Sequence, residues 1–456
     1  MFGKKIALAA LVALACPAAA QAQTGPVDEV FQEWLTAFNS GEKPAIQEFY
    51  GDRLGDPQAA FALDNAQATC GFDLVRVEAR AARSMTVLLA ERCFPALQRL
   101  QIELGPEGES RLAKFLLLPF AQTVDAANNA VAALADRMAA RDEFAGSLLI
   151  AQDGAPLLAR SWGTLEGDGG PPITLDTPMY LASAGKMFTA VAVLQLADAG
   201  KIDLDAPLGT YLIDYPNAEM AGATIRQLLQ HRGGAGDTGI LGREDGDNRA
   251  RVRSIADIIA LNGERAPGFP PGTQTAYSNY GFVLLGAVIE RVSGESYYDY
   301  VARHVFAPAG MAGAAYPDRD HRQGVATGLT NFYGEESALE SNVPVLPWRG
   351  MPDGGGVASA NDLLKFFKAM RSGELLSPAM VELATSAGET PWYGMGFVVS
   401  TVPYSSWGHG GNSYGMDVAA HSYPAVDGDF ICLATRDMAC NRLIWAWVPK
   451  VHGLTE

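Results

Sequence analysis

The pattern of apolar and polar positions predicts three prominent helical segments. Apolar residues recur at helical spacing within residues 27–50, with a break near Gly41 and Pro44. Residues 122–141 are rich in alanine and charged side chains and also predict a helix. A third run follows Lys186 and ends at Gly200, a residue typical of helix ends. Its apolar side chains are Phe188, Val191, Leu194 and Ala197.

Strand-like runs form two groups along the chain. The first predicts about four antiparallel strands, at Phe72 to Glu78, Met85 to Ala90, Gln98 to Leu104 and Lys114 to Leu118. The second predicts strands at Gly146 to Ala151, Pro156 to Arg160, Asp417 to Ser422 and Asp429 to Ala434, with apolar helices between them. We therefore expect a small α+β domain over residues 23–120. Residues 121–456 should form a second domain, with a sheet built from both of its ends.

The first 22 residues have the pattern of an export signal. Lys4 and Lys5 precede an apolar stretch over residues 6–20, and residues 20–22 read Ala-Gln-Ala, a suitable cleavage site. The mature chain is expected to begin near Gln23, in the periplasm or outside the cell. Beyond the signal, no run reaches the roughly 20 apolar residues needed to span a bilayer.

The charge of the chain excludes some partners. The 456 residues carry a formal charge of −17, which becomes −19 once the two lysines of the signal are removed. Such acidity argues against binding to nucleic acids or to anionic membrane surfaces. Cys16 leaves a lipid anchor as the alternative to a cleaved signal, but Ala13 and Pro17 do not fit that pattern.

Four cysteines remain after the signal, an even number for a chain bound for an oxidising compartment. They are Cys70, Cys93, Cys432 and Cys440, and three connectivities are possible. A hairpin centred between residues 81 and 82 would set Cys70 opposite Cys93, close enough to bridge. We expect this bond and a second one between Cys432 and Cys440, for which two buried free thiols are the alternative.

Ser183 and Lys186 are the first candidates for chemistry. They are three residues apart at the start of the third helical run, so the hydroxyl and the amine are expected on one face of its first turn. A serine becomes an effective nucleophile when a base takes its proton, and a lysine can be that base only when neutral. The same spacing recurs at Ser40 and Lys43 in a polar run, where we expect a solvated turn.

Two further triplets could complete a site around Ser183. Tyr277 could pass a proton to a leaving group, and Asn279 follows it just ahead of an apolar helix. His409-Gly410-Gly411 precedes a strand-like run, where glycines let a backbone approach a substrate closely. The Tyr-x-Asn triplet recurs at residues 215–217 and the His-x-Gly triplet at residues 231–233. Only the set made of Ser183, Tyr277 and His409 has all its members at the starts of predicted helices or strands.

The ordered set resembles the serine β-lactamase and penicillin-binding-protein superfamily, in particular its class C-like branch. Further matching stretches are Thr174 to Leu208, Gln227 to Gly234, Pro270 to Gly294, Pro308 to Met311 and Gly354 to Phe367. The resemblance covers about residues 125–450. It implies an α/β (α+β) β-lactamase-like fold, in which a sheet flanked by helices lies beside an all-helical region with the active site between them.

This resemblance also implies roles for individual residues. It implies that Ser183 is the nucleophile and that Lys186 and Tyr277 transfer the proton. Asn279, His409 and Gly411 would orient the substrate. The backbone N–H groups of Ser183 and Asn412 would form the oxyanion hole. Two departures stand out. Arg232 and Gly233 replace the middle of a His-Thr-Ser-Gly motif, and His409 replaces a lysine that helps bind the carboxylate of β-lactams. A neutral histidine is a weaker anion anchor, so β-lactamase activity should be weak at most.

We therefore expect an exported serine hydrolase that forms an acyl-enzyme with a small-molecule or peptide substrate, such as a short ester or a D-amino-acid peptide. No cofactor and no metal is expected. A non-catalytic penicillin-binding-type protein that binds peptidoglycan or a related ligand is one alternative. A zinc hydrolase is another, but the six histidines include no pair at metal-binding spacing. Residues 23–120 are similar in arrangement to nuclear-transport-factor-2-like domains, and we expect a packing or substrate-restricting role for them.

Overall fold

A computed structural model describes most of the chain as two separate compact units. It covers residues 25–54, 57–93, 97–107, 111–120, 123–167, 169–331, 338–401 and 404–452. The division between the units falls after Leu118. The expected export signal lies outside the described residues. Within them, no helix combines the length and the apolar character that crossing a membrane requires.

In its described residues, the first unit has three helices ahead of a four-stranded sheet with the order β1-β2-β3-β4. Its elements are α1 (Pro26–Ser40), α2 (Lys43–Arg53), α3 (Pro57–Thr69), β1 (Phe72–Arg80), β2 (Ser84–Glu91), β3 (Leu97–Leu104) and β4 (Leu112–Phe120). Trp34 and Phe38 from α1 pack on Phe72, the first residue of β1. All four predicted strands are present, whereas α3 was not predicted.

The hairpin of β1 and β2 has the expected pairing at its open end, although its turn lies at a different position than predicted. Arg80 pairs with Met85, so the turn is centred one residue later than predicted. Two irregularities in β1 then shift the register by two residues before the open end of the hairpin. Cys70 and Cys93 consequently lie opposite each other and form a disulfide, with their Cα atoms 5.5 Å apart.

The second unit is built around a six-stranded antiparallel sheet with the order β11-β12-β13-β14-β5-β6. Its strands are β5 (Gly146–Gln152), β6 (Ala155–Trp162), β11 (Val398–Ser400), β12 (Ser406–Ser413), β13 (Met416–Tyr423) and β14 (Gly428–Ala434). The sheet therefore combines both ends of the segment, as expected. Every residue of β14 is buried, so both faces of the sheet are covered at this strand. Cys432 in β14 forms the second disulfide, with Cys440.

Helices flank this sheet and fill the region between its first and last strands. They are α4 (Val124–Ala140), α5 (Lys186–Asp198), α6 (Ala218–Ala221), α7 (Ile225–Leu229), α8 (Gly246–Arg251), α9 (Ile255–Asn262), α10 (Asn279–Ser293), α11 (Tyr297–Val301), α12 (Ala360–Ser372), α13 (Pro378–Thr385) and α14 (Ala439–His452). Four two-residue strands complete the unit, β7 (Met179–Tyr180), β8 (Leu329–Thr330), β9 (Glu340–Ser341) and β10 (Val357–Ala358).

Helix α5 is the buried helix that the apolar run after Lys186 predicts. All residues from Lys186 to Leu194 are buried, because the run is apolar on every side. One detail of the prediction was wrong. Ser183 does not lie in the first turn of this helix but in a 3₁₀ helix, Ala182–Gly185, that leads into it.

Removing the disulfide of the first unit should destabilise that unit. It closes a loop of 23 residues, and loss of such a constraint typically costs about 3 kcal/mol. We expect faster hydrogen exchange of the β1 and β2 amides in the Cys70→Ser/Cys93→Ser variant, measured by mass spectrometry on the full chain. The Cys432→Ser/Cys440→Ser variant is the control, since those cysteines belong to the other unit. Unchanged exchange in the first variant would contradict a stabilising role.

Candidate active site

Ser183 and Lys186 lie in contact, as their spacing predicts. The Nζ atom of Lys186 is 3.2 Å from the Oγ atom of Ser183. Lys186 is fully buried, whereas Ser183 is half-buried and lines a cleft. The copy of this motif forms no such pair among the contacts of the described residues, because Ser40 ends α1, Lys43 begins α2 and both are exposed. The buried helix is what distinguishes the two copies.

Three acceptors surround the amine of Lys186. Besides Ser183, they are the Oδ1 atom of Asn279 at 2.7 Å and the main-chain carbonyl of Asp353. An ammonium has three N–H donors, which these groups satisfy. The Ser183 hydroxyl can also donate, so the same contact suits a neutral amine that takes its proton. Asn279 therefore lies next to the lysine.

The position of Asn279 follows from how α10 begins. Ser278 caps this helix, since its Oγ atom accepts from the N–H group of Gly281 at 3.0 Å and donates to the carbonyl of Gly236 at 2.8 Å. The Nδ2 atom of Asn279 donates to the Oδ1 atom of Asp237 at 3.1 Å, which turns its Oδ1 atom toward Lys186. The cap by Ser278 and the contact of Asn279 with Asp237 together fix one wall of the site.

Tyr277 lines the same cleft as Ser183, with 41% of its surface exposed. Its ring centroid is 4.8 Å from the Nζ atom of Lys186 and 4.3 Å from the ring of His231. His231 is fully buried and its Nδ1 atom accepts from the N–H group of Ser278 at 3.1 Å. Burial lowers the pKa of His231 well below its usual value, and nearby Lys186 lowers it further. A neutral His231 thus supports the ring of Tyr277.

His409 offers no positive charge to the cleft. Its Nδ1 atom donates to the carbonyl of Gly410, because that oxygen can only accept, and its Nε2 atom therefore accepts from the hydroxyl of Tyr393 at 2.9 Å. Burial, with Lys186 nearby, lowers the pKa of His409 to about 3. The histidine is neutral at pH 7 and holds Tyr393 and β12 in place.

Strand β12 touches the backbone of Ser183 through Gly411. A Cβ atom at Gly411 would lie 2.2 Å from the carbonyl oxygen of Leu181 and 3.0 Å from the backbone nitrogen of Ser183, so only glycine fits. In the described part of the sheet, β11 pairs with β12 only from Ser406 to Gly408, which leaves the rest of that edge open. Asn412 lies on this open part and lines the cleft together with Ser183. An oxyanion hole formed by the N–H groups of Ser183 and Asn412 stays a prediction.

No supporting role was predicted for residues 353–356, the loop that holds the turn carrying Ser183. Gly355 donates its N–H to the carbonyl of Ala182 at 3.1 Å, and Leu181 donates to the carbonyl of Gly356 at 2.9 Å. Asp353 reaches Lys186 through its own carbonyl. His231 and Tyr393 were also missed as supporting residues. For the loop, the available signal was the run of three glycines at residues 354–356, at the start of a stretch that resembles the family.

Adding a side chain at Gly354 should disturb this turn. A Cβ atom there would lie 2.4 Å from the carbonyl oxygen of Ala182, and the φ of Gly354 is +153°. We expect Gly354→Ala to destabilise the protein by about 1 to 3 kcal/mol, seen as a lower melting temperature. Gly246→Ala is the matched control, because its Cβ atom would meet nothing within 4 Å. Equal melting temperatures for the two variants would contradict the contact.

Acid should destabilise the folded protein through His409. Between about pH 3 and 6.5 the unfolded chain binds a proton at this ring that the folded protein does not, so stability is lost as the pH falls through that window. In His409→Gln we expect the melting temperature to fall less steeply between pH 6.5 and 4 than in the wild type. Circular dichroism at several pH values measures both slopes, and identical slopes would contradict the burial of a neutral ring.

The chain is similar in sequence to penicillin-binding proteins and to a D-aminopeptidase. It is 29% identical to the putative penicillin-binding protein PbpX of Bacillus subtilis, over 58% of this chain and 64% of that protein. It is 28% identical to a D-aminopeptidase of Brucella anthropi, over 50% of this chain and 43% of that protein. The chain thus spans less than two thirds of the length of these curated relatives.

The fold of the second unit occurs in solved structures. A penicillin-binding protein from Bacillus halodurans aligns with a TM-score of 0.62 and 27% identity, over 68% of this chain and 98% of that one. The expected sheet flanked by helices is thereby confirmed. The sequence model of the Beta-lactamase family matches residues 130–423, well over half of the chain. The chain belongs to the Beta-lactamase family.

Proposed function

We propose that the protein is an exported serine hydrolase that cleaves an ester or an amide through an acyl-enzyme on Ser183. The contact of Ser183 with the buried amine of Lys186, at the base of an open cleft, carries this proposal. The similarity to a D-aminopeptidase supports it. The two disulfides support an oxidising compartment as the place of action.

The reaction would proceed in two steps. The Oγ atom of Ser183 bonds to the substrate carbonyl carbon while its proton passes to Lys186, and the N–H groups of Ser183 and Asn412 would stabilise the oxyanion. Lys186 and Tyr277 return the proton to the leaving nitrogen or oxygen as its bond to carbon breaks. Water then attacks the carbonyl carbon of the acyl-enzyme, and its proton passes through Lys186 to the Oγ atom of Ser183 as the bond between that oxygen and the carbon breaks. The acid product leaves and Ser183 is restored.

Replacing Ser183 tests this function directly. We expect Ser183→Ala to lower the hydrolysis of aryl esters and amino-acid amides at least 10³-fold, because the variant lacks the hydroxyl that would form the acyl-enzyme. A fluorophosphonate probe should label Ser183 in the wild type, as read by peptide mass spectrometry. Ser40→Ala is the matched control, since it removes a serine of the same Ser-x-x-Lys spacing at an exposed position and should keep full activity.

Two outcomes would contradict the proposal. Labelling that persists in Ser183→Ala, at another residue, would assign the chemistry elsewhere. An unlabelled wild type that turns over no ester, amide or nitrocefin, yet is stabilised by such ligands equally with and without Ser183, would favour a binding protein instead.

A further inference from the structure

Two hollows of very different size adjoin Ser183. The cleft that Tyr277 also lines has a volume of about 700 Å³. The second hollow, a cavity that Asn279 lines, has a volume of about 80 Å³. A substrate whose carbonyl lies at Ser183 would therefore have a large space for the group on one side of its scissile bond and a small space on the other.

The large cleft continues from Ser183 along one face of β12 and β13. Its floor includes residues at alternate positions of the two strands, which share one face. They are Gly410 and Asn412 of β12 and Asp417, Ala419, His421 and Tyr423 of β13. The residues of β13 from Asp417 to Tyr423 span about 20 Å. A Cβ atom at Gly410 would meet only the carbonyl oxygen of Val418, at 3.4 Å, so the floor is open there.

The walls of the cleft are largely apolar. Helix α14 contributes Asn441, Ile444, Trp445 and Val448, and β11 contributes Val398, Val399 and Ser400. Two of the lining side chains, Trp392 and Trp445, are 41% and 47% exposed. Large apolar side chains that are exposed in one cleft indicate an apolar ligand.

Within the described residues, no lysine or arginine lines this cleft. His409 is neutral at pH 7, and burial lowers the pKa of His421 to about 4, so this ring is neutral as well. The carboxylate of Asp417 accepts from the N–H groups of Cys440 at 2.7 Å and Asn441 at 3.2 Å, where α14 begins. The cleft therefore favours an uncharged, apolar group.

The proposed proton path assigns this cleft to the leaving group. Tyr277, which with Lys186 would return the proton to the leaving atom, lines the cleft together with Ser183. The acyl part of the substrate would then occupy the small cavity beside Asn279. The leaving group thus has the larger space.

We propose that this cleft is a subsite for a long apolar leaving group, and that the preferred substrates are esters of short acids with long-chain alcohols. This inference rests on the serine hydrolase function proposed above. Each methylene group of the alcohol that is buried in the cleft should raise kcat/KM about fourfold.

Isomeric esters test on which side of the scissile bond the long chain binds. Octyl acetate and ethyl octanoate have the same atoms, but the long chain belongs to the leaving group only in octyl acetate. We expect the wild-type kcat/KM for octyl acetate, measured by titration of the released acid, to exceed the values for ethyl acetate and for ethyl octanoate at least tenfold. A preference for ethyl octanoate, or equal values for octyl acetate and ethyl acetate, would overturn the proposal.

Filling the cleft should remove this preference. Gly410→Leu adds a side chain to the floor, and we expect it to lower the ratio of kcat/KM for octyl acetate to that for ethyl acetate at least tenfold. Gly246→Leu, at an exposed glycine with nothing within 4 Å of its Cβ position, is the control and should keep the wild-type ratio. Trp445→Ala, which removes part of a wall on α14, should lower the ratio at least threefold. An unchanged ratio in both cleft variants would contradict the subsite.

Binding without turnover separates this subsite from the proposed function. 1-Octanol should bind to Ser183→Ala in calorimetry, and at least tenfold more weakly to Ser183→Ala/Gly410→Leu. If this difference is found while the wild type hydrolyses no ester, the subsite stands and the hydrolase function fails. If the wild type hydrolyses ethyl acetate and octyl acetate equally and 1-octanol does not bind, the subsite fails and the hydrolase function stands.

Discussion

The buried amine of Lys186 is the interaction on which the site depends. A buried amine is stable only when its hydrogen bonds are satisfied, and its three acceptors come from segments far apart in the chain. The 3₁₀ helix supplies Ser183, the start of α10 supplies Asn279, and the loop before β10 supplies Asp353. Satisfying one side chain therefore brings three segments of the chain together around the serine. The chemistry and the local packing have the same cause.

Glycines complete this arrangement from the other side. At Gly354 and Gly411 a backbone presses against the turn that carries Ser183, at distances no side chain permits. The turn is held between a loop and the open edge of β12, so its N–H group has a defined direction. His409 contributes by anchoring β12 to Tyr393 rather than by reaching into the cleft. A motif residue can thus act through the strand it stabilises.

The sequence allowed much of the fold and part of the site to be predicted. The strand-like runs and the apolar run of α5 are local patterns, and the elements they predict are present. Helix α3 was missed because it buries mainly alanines, which give a weak periodic signal. Ser183 and Lys186 were found because their Ser-x-x-Lys spacing lies directly at the start of a long apolar run that predicts a buried helix.

Asp353 could not be found in that way. It contacts Lys186 across 167 residues through a main-chain carbonyl, which any residue type has. His231 was set aside as a copy of the His-x-Gly triplet, although it packs beneath Tyr277. Such contacts arise from the packing of distant segments and leave no local pattern in the sequence.

The pairing of β5 with β14 has a consequence for the order in which the chain can fold. Gly428 pairs with Gln152, so the centre of the sheet joins the beginning and the end of the second unit. During synthesis β5 emerges long before its neighbour, with the whole helical region in between. The sheet cannot be completed until β14 has left the ribosome. The central pairing of the second unit therefore forms late, across the whole helical region.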